Sequence, residues 1–201
     1  KIARYGIFNS LSQTLLKLVS PGLPDIYQGT ELWDLSLVDP DNRRPVDFEG
    51  RLSFLQEIKR RCRTGIQNLI EDLVATCEDG RLKLFLMARV LEARQQYLEV
   101  FQTGTYKPVA VTGQYSDRVI AFARSDGKNT AIAIAPRFLT GVVQPPQFPL
   151  GEVWGDTAIE LPQGSGSSWH EVIADGTISG GDQIAIAQIL QHFPVALLID
   201  Q

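Results

Sequence analysis

Apolar residues recur at three- and four-residue steps through the first hundred residues of the chain. In the segment 2–18 they are Ile7, Phe8, Leu11, Leu15, Leu16 and Leu18. This spacing places them on one face of a helix, which Pro21 ends because proline cannot continue the hydrogen-bond ladder. The same spacing predicts helices over about 51–63, 66–77 and 80–101, with Gly65 separating the first two.

A short apolar run at about 23–27 interrupts this helical pattern. It lies among Pro21, Gly22 and Pro24, and short apolar runs bounded by such residues are typical of buried strands. A long polar loop follows, as far as Asp47. The order is therefore helix, strand, loop and helix.

After Gly104 the pattern changes from helical spacing to alternation, which is typical of strands. Strands are predicted at 109–111, 118–123, 130–134, 158–161, 169–173, 183–187 and 195–199, with a hairpin turn at 125–128 and loops at 144–151 and 163–168. About seven or eight short strands in this length indicate an antiparallel β-sandwich. We therefore predict one domain over 1–104 and a second over 105–201.

Composition restricts the function without identifying it. The chain has 201 residues, 44% of them hydrophobic and 21% charged, with a net charge of −4. These values are typical of globular domains, and the net negative charge argues against nucleic acid as a general partner, because a binding face would need a clustered excess of Lys and Arg. No apolar run is long enough to span a membrane and no signal peptide is recognisable, so a cytoplasmic protein with no membrane partner is expected.

Cysteine and histidine are too few to suggest a metal site. Cys62 and Cys77 are the only cysteines, and the only histidines are His170 and His192. Their spacing matches no metal-binding pattern. We expect reduced structural thiols, structural histidines, no metal and no cofactor.

The segment 21–31, PGLPDIYQGTE, resembles the eighth barrel strand of the α-amylase family of (β/α)8 glycoside enzymes. The next segment, 32–51, LWDLSLVDPDNRRPVDFEGR, resembles the maltooligosyl trehalose synthases of that family. The resemblance implies an α+β fold: the last strand and helix of a barrel, terminal helices, and then the β-sandwich. It also implies an intramolecular glucosyltransferase, formally an isomerase, that converts the reducing-end α-1,4 linkage of a maltooligosaccharide into an α,α-1,1 linkage for trehalose biosynthesis.

The resemblance also implies that the catalytic groups lie elsewhere. In the α-amylase family the catalytic carboxylates follow barrel strands four, five and seven, and this chain resembles the part after strand seven. We therefore expect no catalytic residue here, no activity from the chain alone, and two partners: a maltooligosaccharide and the remainder of the barrel.

The loop supplies the candidate substrate-binding residues. They are Tyr27, Gln28, Glu31, Trp33, Asp39, Asp41, Asn42, Arg43, Arg44 and Asp47. Arginine forks donate several hydrogen bonds to sugar hydroxyls, carboxylates and amides accept them, and flat aromatic rings fit a pyranose. The alternative is a turn held together by its own Asp and Arg side chains.

Two questions stay open at this level. Trp154 and Trp169 are either core residues or a stacking surface of a non-catalytic α-glucan-binding module, and the sandwich is otherwise a purely structural module. The apolar faces of the helices are covered either by the sandwich or by self-association with a second chain.

Overall fold

The computed structural model describes residues 2–162 and 164–200. Lys1, Gln201 and Gln163, the first residue of the predicted loop 163–168, lie outside the described residues. The helices are α1 Ile2–Val19, α2 Phe48–Ala75, α3 Arg81–Gln96, α4 Leu98–Gln102 and α5 Ile186–Ile189. The strands are β1 Thr105–Pro108, β2 Val111–Thr112, β3 Val119–Ser125, β4 Thr130–Pro136, β5 Ala158–Glu160, β6 Ser168–Glu171, β7 Gly176–Ser179, β8 Gln183–Ala185 and β9 Ala196–Asp200.

The predicted helices are confirmed, with breaks that follow from single residues. Gly65 has φ 164° and ψ 84° inside α2 and divides it into two helical segments. Gly80 ends the connection between α2 and α3 with φ 83°, and a Cβ there would lie 2.8 Å from the backbone nitrogen of Trp33. A larger residue at 80 would therefore push the long loop away from the helices.

The prediction of a buried strand at 23–27 is wrong for this structure. The segment pairs with no strand among the described residues, and Leu23 is 93% exposed. An extended segment becomes a strand only when neighbouring strands pair with its backbone groups. No such neighbour lies beside it in the part of the chain that the structure describes.

The strands form two antiparallel sheets. The larger has the order β1-β3-β4-β9-β6-β7, and the smaller has the order β2-β5-β8. The hairpin turn predicted at 125–128 joins β3 to β4. The alternation of apolar and polar residues did not predict β1 and β7, which are the two edge strands of the larger sheet. All four residues of β1 are exposed, so no buried face marks this segment as a strand.

Two other strand predictions are shorter in the structure. The predicted strand 109–111 overlaps β2 only at Val111. The predicted strand 183–187 is shorter in the structure, because β8 ends at Ala185 and α5 begins at Ile186. Buried apolar residues at 186 and 189 belong to that short helix. A helical turn and a strand end both place apolar residues inside, so alternation did not separate them.

The larger sheet is the middle layer of the fold. In β4, Ala131, Ala133 and Ala135 pack with the helices, whereas Ile132 and Ile134 pack with the smaller sheet. Helices α1 and α3 contact each other, and α1 lies on β4. The apolar faces of the helices are therefore covered by the larger sheet of the same chain. This is the first of the two alternatives that the sequence left open.

The broad prediction of an α+β fold is confirmed. Within residues 2–162 and 164–200, no helix combines the length and apolar character needed to cross a membrane.

Candidate functional site

A cleft of about 450 Å³ lies in the long loop between α1 and α2. Its lining comes from both limbs of the loop and from the first turn of α2. The lining residues are Gln28, Gly29, Trp33, Asp34, Leu35, Ser36, Asp41, Asn42, Arg44, Pro45, Val46, Asp47 and Arg51.

The cleft brings together six of the candidate binding residues. They are Gln28, Trp33, Asp41, Asn42, Arg44 and Asp47. The other four, Tyr27, Glu31, Asp39 and Arg43, lie outside its lining. Tyr27 is exposed and its carbonyl accepts a hydrogen bond from the Thr30 hydroxyl at 2.7 Å.

The tip of the loop is held by its own charged side chains. Arg43 donates from Nε and Nη2 to the two carboxylate oxygens of Asp39, at 2.5 and 2.6 Å. Arg44 donates to Asp41, whose other oxygen accepts from the backbone nitrogen of Leu37 at 2.7 Å. The turn held by its own Asp and Arg is therefore present, and Arg44 and Asp41 face the cleft at the same time.

Asn42 contributes an acceptor without a partner. Its Oδ1 atom is buried and has no hydrogen-bond partner among the described residues. A buried carbonyl oxygen without a partner costs free energy, so such an atom marks a position where a donor is favourable. Asn42 belongs to the lining of the cleft.

Trp33 attaches the loop to the helical part of the chain. Its indole nitrogen donates to the carbonyl oxygen of Cys77 at 2.7 Å. The Lys83 ammonium lies 5.9 Å from the centre of the Trp33 ring and also donates to the carbonyl of Leu32 at 3.3 Å. Burial lowers the pKa of Lys83, and these two contacts compensate for part of the lost hydration.

Arg51 is the main residue of the cleft that sequence reasoning missed. It donates to the carboxylate of Glu31 at 3.1 Å, to the carbonyl of Gly29 at 2.9 Å and to the carbonyl of Asp47 at 3.0 Å. The signal was available, because Arg51 closes the motif 32–51. The apolar spacing, however, assigns Arg51 only to the start of a helix.

Asp34 and Ser36 were also missed. The Asp34 carboxylate accepts from the backbone nitrogen and the hydroxyl of Ser36, at 2.9 and 2.6 Å. An Asp side chain that accepts from the backbone nitrogen two residues further on is typical of turns. Asp34 and Ser36 therefore add two polar residues to the lining of the cleft that were not among the candidate binding residues.

Two acids of the cleft, Asp34 and Asp41, are held in the ionised form. The Ser36 hydroxyl and then its backbone N–H lower the pKa of Asp34. The backbone N–H of Leu37 and then Arg44 lower the pKa of Asp41. A general acid needs a raised pKa, so these carboxylates are suited to accepting hydrogen bonds and not to donating a proton.

A larger cleft of about 860 Å³ lies elsewhere, beside the hairpin that joins β3 to β4. It is lined by hydroxyls, by Lys107 and Lys128, and by the carboxyls of Glu99, Asp126 and Asp200. Its lining contains no aromatic ring among the described residues. Size alone favours this cleft, but the loop cleft combines an aromatic ring, arginine forks and amides, so we take the loop cleft as the candidate site.

The two tryptophans and the two cysteines lie at structural positions. Trp154 and Trp169 are fully buried in the core between the two sheets, which excludes stacking of a sugar on either ring. Cys62 and Cys77 are free thiols, and burial raises the pKa of Cys77 to about 11. Among the residues that the structure describes, no cluster of His, Cys, Asp and Glu is arranged to hold a metal ion.

Comparison with known proteins shows which proteins this chain is similar to. No protein-family model matches the chain. A curated protein of Mycobacterium tuberculosis, named for the maltooligosyl trehalose synthases, is 33% identical over 191 residues, which are 95% of this chain and 20% of that protein. The structure of the maltooligosyltrehalose synthase from Arthrobacter ramosus has 32% identity and a TM-score of 0.73, over 99% of this chain and 23% of that one.

A more distant structure shows the fold alone. An Anoxybacillus α-amylase has 16% identity and a TM-score of 0.59 over 96% of this chain. The chain spans about a fifth of the length of the curated relatives that it matches. The resemblance predicted from residues 21–51 is confirmed: over nearly its whole length, this chain is similar to a carboxyl-terminal portion of the maltooligosyl trehalose synthases.

Proposed function

We propose that this chain is part of a maltooligosyl trehalose synthase, which converts the reducing-end α-1,4 linkage of a maltooligosaccharide into an α,α-1,1 linkage. The observation that carries the proposal is 32% identity over 99% of the chain to the Arthrobacter ramosus synthase. In this proposal, residues 1–104 form the carboxyl-terminal end of the catalytic barrel. Residues 105–201 form the antiparallel β-sandwich that follows it.

The loop cleft forms one wall of the substrate site in this proposal. Arg44 donates to sugar hydroxyls, Asp41 and Asp47 accept from them, and Trp33 offers an aromatic face. The unpartnered Oδ1 of Asn42 accepts one further hydroxyl. Of the predicted residues outside the lining, Glu31, Asp39 and Arg43 shape the loop, and Tyr27 borders the cleft.

The catalytic carboxylates come from the rest of the polypeptide. A retaining transfer needs two carboxyl groups about 5 to 5.5 Å apart, one of them protonated. The lowered pKa values of Asp34 and Asp41 do not suit that second role. The relatives are about five times as long as this chain, which leaves ample length for those groups.

The exposed tip of the loop faces that remaining polypeptide. Leu35, Leu37 and Val38 are 93%, 77% and 85% exposed. Apolar side chains in such a row are typical of an interface. Their burial against the remaining polypeptide would exclude water from the cleft, as a transfer without hydrolysis requires.

The test uses the full polypeptide that contains this chain. It is incubated with maltopentaose, and the products are separated by chromatography and tested for loss of reducing ends. A non-reducing product with a trehalose end, formed by the full polypeptide and absent with residues 1–201 alone, supports the proposal. Hydrolysis products alone contradict the transfer function, and product formed by residues 1–201 contradicts the placement of the catalytic groups.

A structural role for residues 105–201 is the second candidate, and one observation favours it. The larger sheet shares a core with α1, α2 and α3. A sheet that buries these helices supports the loop between α1 and α2 without touching sugar. Retention of residues 1–201 on amylose that equals that on an inert matrix, or that is lost with Arg44→Ala, supports this role, whereas specific retention that Arg44→Ala leaves unchanged favours a glucan-binding module.

A further inference from the structure

We infer that Arg51 is a positioning residue that sets the width of the loop cleft by joining its two limbs. The inference rests on the proposed function, because it assigns Arg51 a part in that transfer. One limb enters through Gly29 and Glu31, and the other leaves through Asp47 into α2. Arg51 bonds to all three residues.

Each of the three hydrogen bonds comes from a different nitrogen of the guanidinium. Nη2 donates to the Gly29 carbonyl at 2.9 Å, Nε to Glu31 Oε2 at 3.1 Å, and Nη1 to the Asp47 carbonyl at 3.0 Å. A guanidinium is planar and presents its donors in a fixed fork. The distances between the three acceptors are therefore set by one rigid group.

The position of Arg51 itself is fixed by helix α2. Asp47 is the N-cap of that helix, and its carboxylate accepts from the backbone nitrogen of Gly50 at 2.9 Å. Further along the same helical segment, Ile58 is buried in the main core, and Phe54 and Leu55 pack against that core. Arg51 thus transmits the position of a packed helix to the entering limb of the loop.

The entering limb is built for this close approach. Gly29 has φ 89°, and a Cβ there would lie 3.2 Å from the Val46 side chain and 3.7 Å from Arg51 Nη2. Glycine is the residue that accepts such a backbone conformation without strain. The turn at Gly29 therefore lies against both the leaving limb and the guanidinium.

The ion pair with Glu31 is partly protected from water. The side chains of Arg51 and Glu31 are 20% and 26% exposed, whereas those of Arg43 and Asp39 at the tip are 67% and 55% exposed. Pairs protected from water are less screened than exposed ones. The ion pair at the base of the loop is therefore less weakened by water than the exposed pairs at the tip.

The expected consequence concerns the fate of the released glucose. A cleft of the correct width holds that glucose until it attacks as the acceptor, and a wider cleft admits water. Small displacements of positioning groups lower rates by roughly 10- to 100-fold. Loss of Arg51 should therefore lower kcat for transfer and raise the ratio of free glucose to trehalose-ended product.

The experiment compares three variants of the full polypeptide acting on maltopentaose. Arg51→Gln removes the charge and most donors, Arg51→Lys keeps the charge without the fork, and Arg60→Gln changes an exposed arginine on the same helix. We expect kcat for transfer to fall roughly 10- to 100-fold with Arg51→Gln and several-fold with Arg51→Lys. The product ratio should rise in both and stay unchanged with Arg60→Gln.

The product ratio separates positioning from general loss of folded protein. A structural defect alone lowers transfer and hydrolysis together and leaves the ratio constant, and that result overturns the inference while the proposed function stands. If Arg51→Gln does not fold, a constant ratio with Arg51→Lys has the same meaning. Absence of any trehalose-ended product from the unmodified polypeptide overturns the proposed function and the inference with it.

Discussion

Trp33 donates its indole N–H to the carbonyl oxygen of Cys77 at 2.7 Å, which joins the candidate site to the connection between α2 and α3. That connection is narrow, because a Cβ at Gly80 would lie 2.8 Å from the Trp33 backbone nitrogen. The aromatic residue of the cleft is therefore fixed at its backbone and at the end of its side chain. A ring held in this way is pre-organised for a ligand.

Replacing Trp33 by Phe tests this attachment. The ring remains apolar, but the Cys77 carbonyl loses its donor, so the free energy of unfolding should decrease by about 1 to 3 kcal/mol. Urea unfolding of the chain, followed by circular dichroism, measures the change. Tyr27→Phe, at an exposed tyrosine, is the matched control and should leave the value unchanged; equal stability of both variants contradicts the attachment.

Arg43 and Arg44 should differ in their effect on transfer although they are neighbours. Arg44 lines the cleft, whereas Arg43 is engaged by Asp39 outside it. In the full polypeptide, Arg44→Ala should lower kcat/KM for maltopentaose by about tenfold or more, since a charged donor to a sugar hydroxyl contributes about 1.5 to 3 kcal/mol. Arg43→Ala should have the smaller effect.

Stability provides the control for this pair. Both arginines form exposed ion pairs, with side-chain exposures of 67% for Arg43 and 73% for Arg44. Exposed pairs contribute about 0 to 1 kcal/mol, so the two variants should have similar melting temperatures. Equal loss of kcat/KM in both, or no loss in either, would contradict the assignment of Arg44 to the cleft.

The sequence predicted those helices and strands in which apolar residues recur at the regular spacing of one buried face. The spacing of Phe8, Leu11 and Leu15 identified α1 because a packed helix needs one apolar face. Edge strand β1 was not predicted because its residues are exposed and show no apolar alternation. The segment 23–27 was misassigned because pairing depends on neighbours that local pattern does not report.

The sequence predicted which loop carries the candidate site, but not which of its residues come together in the cleft. The motif at 32–51 identified Trp33 and Arg44, which line the cleft. Arg51 was missed because its partners Gly29 and Glu31 are about twenty residues away, and hydrogen bonds across that separation leave no periodic signal. Motifs identify the residue types, and the fold determines which of them meet.

We predict that Arg124 contributes strongly to the free energy of unfolding, because it joins the helices to the larger sheet. It is 1% exposed, and its guanidinium donates to the carbonyls of Val19, Phe101, Gly104 and Thr105 at 3.0 to 3.2 Å. These carbonyls belong to helix ends and to the start of β1. Cations near helix carboxyl ends are favourable.

Arg124→Met should therefore lower the free energy of unfolding by about 3 to 5 kcal/mol, the range for breaking a buried charged network. The methionine fills the space but leaves several carbonyls unpartnered. Arg60→Met, at an exposed arginine of α2, is the control and should change the value by about 0.5 kcal/mol or less. Urea unfolding of both variants measures the difference, and equal values would show that the network contributes little.

Glu171 makes the fold sensitive to pH. Its side chain is buried, and its two oxygens accept from the backbone nitrogens of Ile173 and Ala174 at 3.0 and 2.6 Å. Burial raises the pKa of Glu171 from 4.5 to about 7, although the hydrogen bonds oppose this. The turn that it holds also accepts from Gln67 in α2 and Arg89 in α3.

The direction of the pH effect follows from this raised pKa. Between about pH 4.5 and 7, the folded chain keeps a proton on Glu171 that the unfolded chain has released. The contribution to stability is therefore fully present below pH 4.5 and is lost as the pH rises to 7. Its size is on the order of 3 kcal/mol.

Urea unfolding of the unmodified chain and of Glu171→Gln at several pH values between 4 and 8 isolates this contribution. The glutamine does not titrate, so the free energy of unfolding of the unmodified chain should decrease relative to the variant from about pH 4.5 to 7 and then level off. Glu160→Gln, at an exposed glutamate in β5, should keep the pH profile of the unmodified chain. Parallel profiles for the unmodified chain and Glu171→Gln would show that the buried carboxyl is not the titrating group.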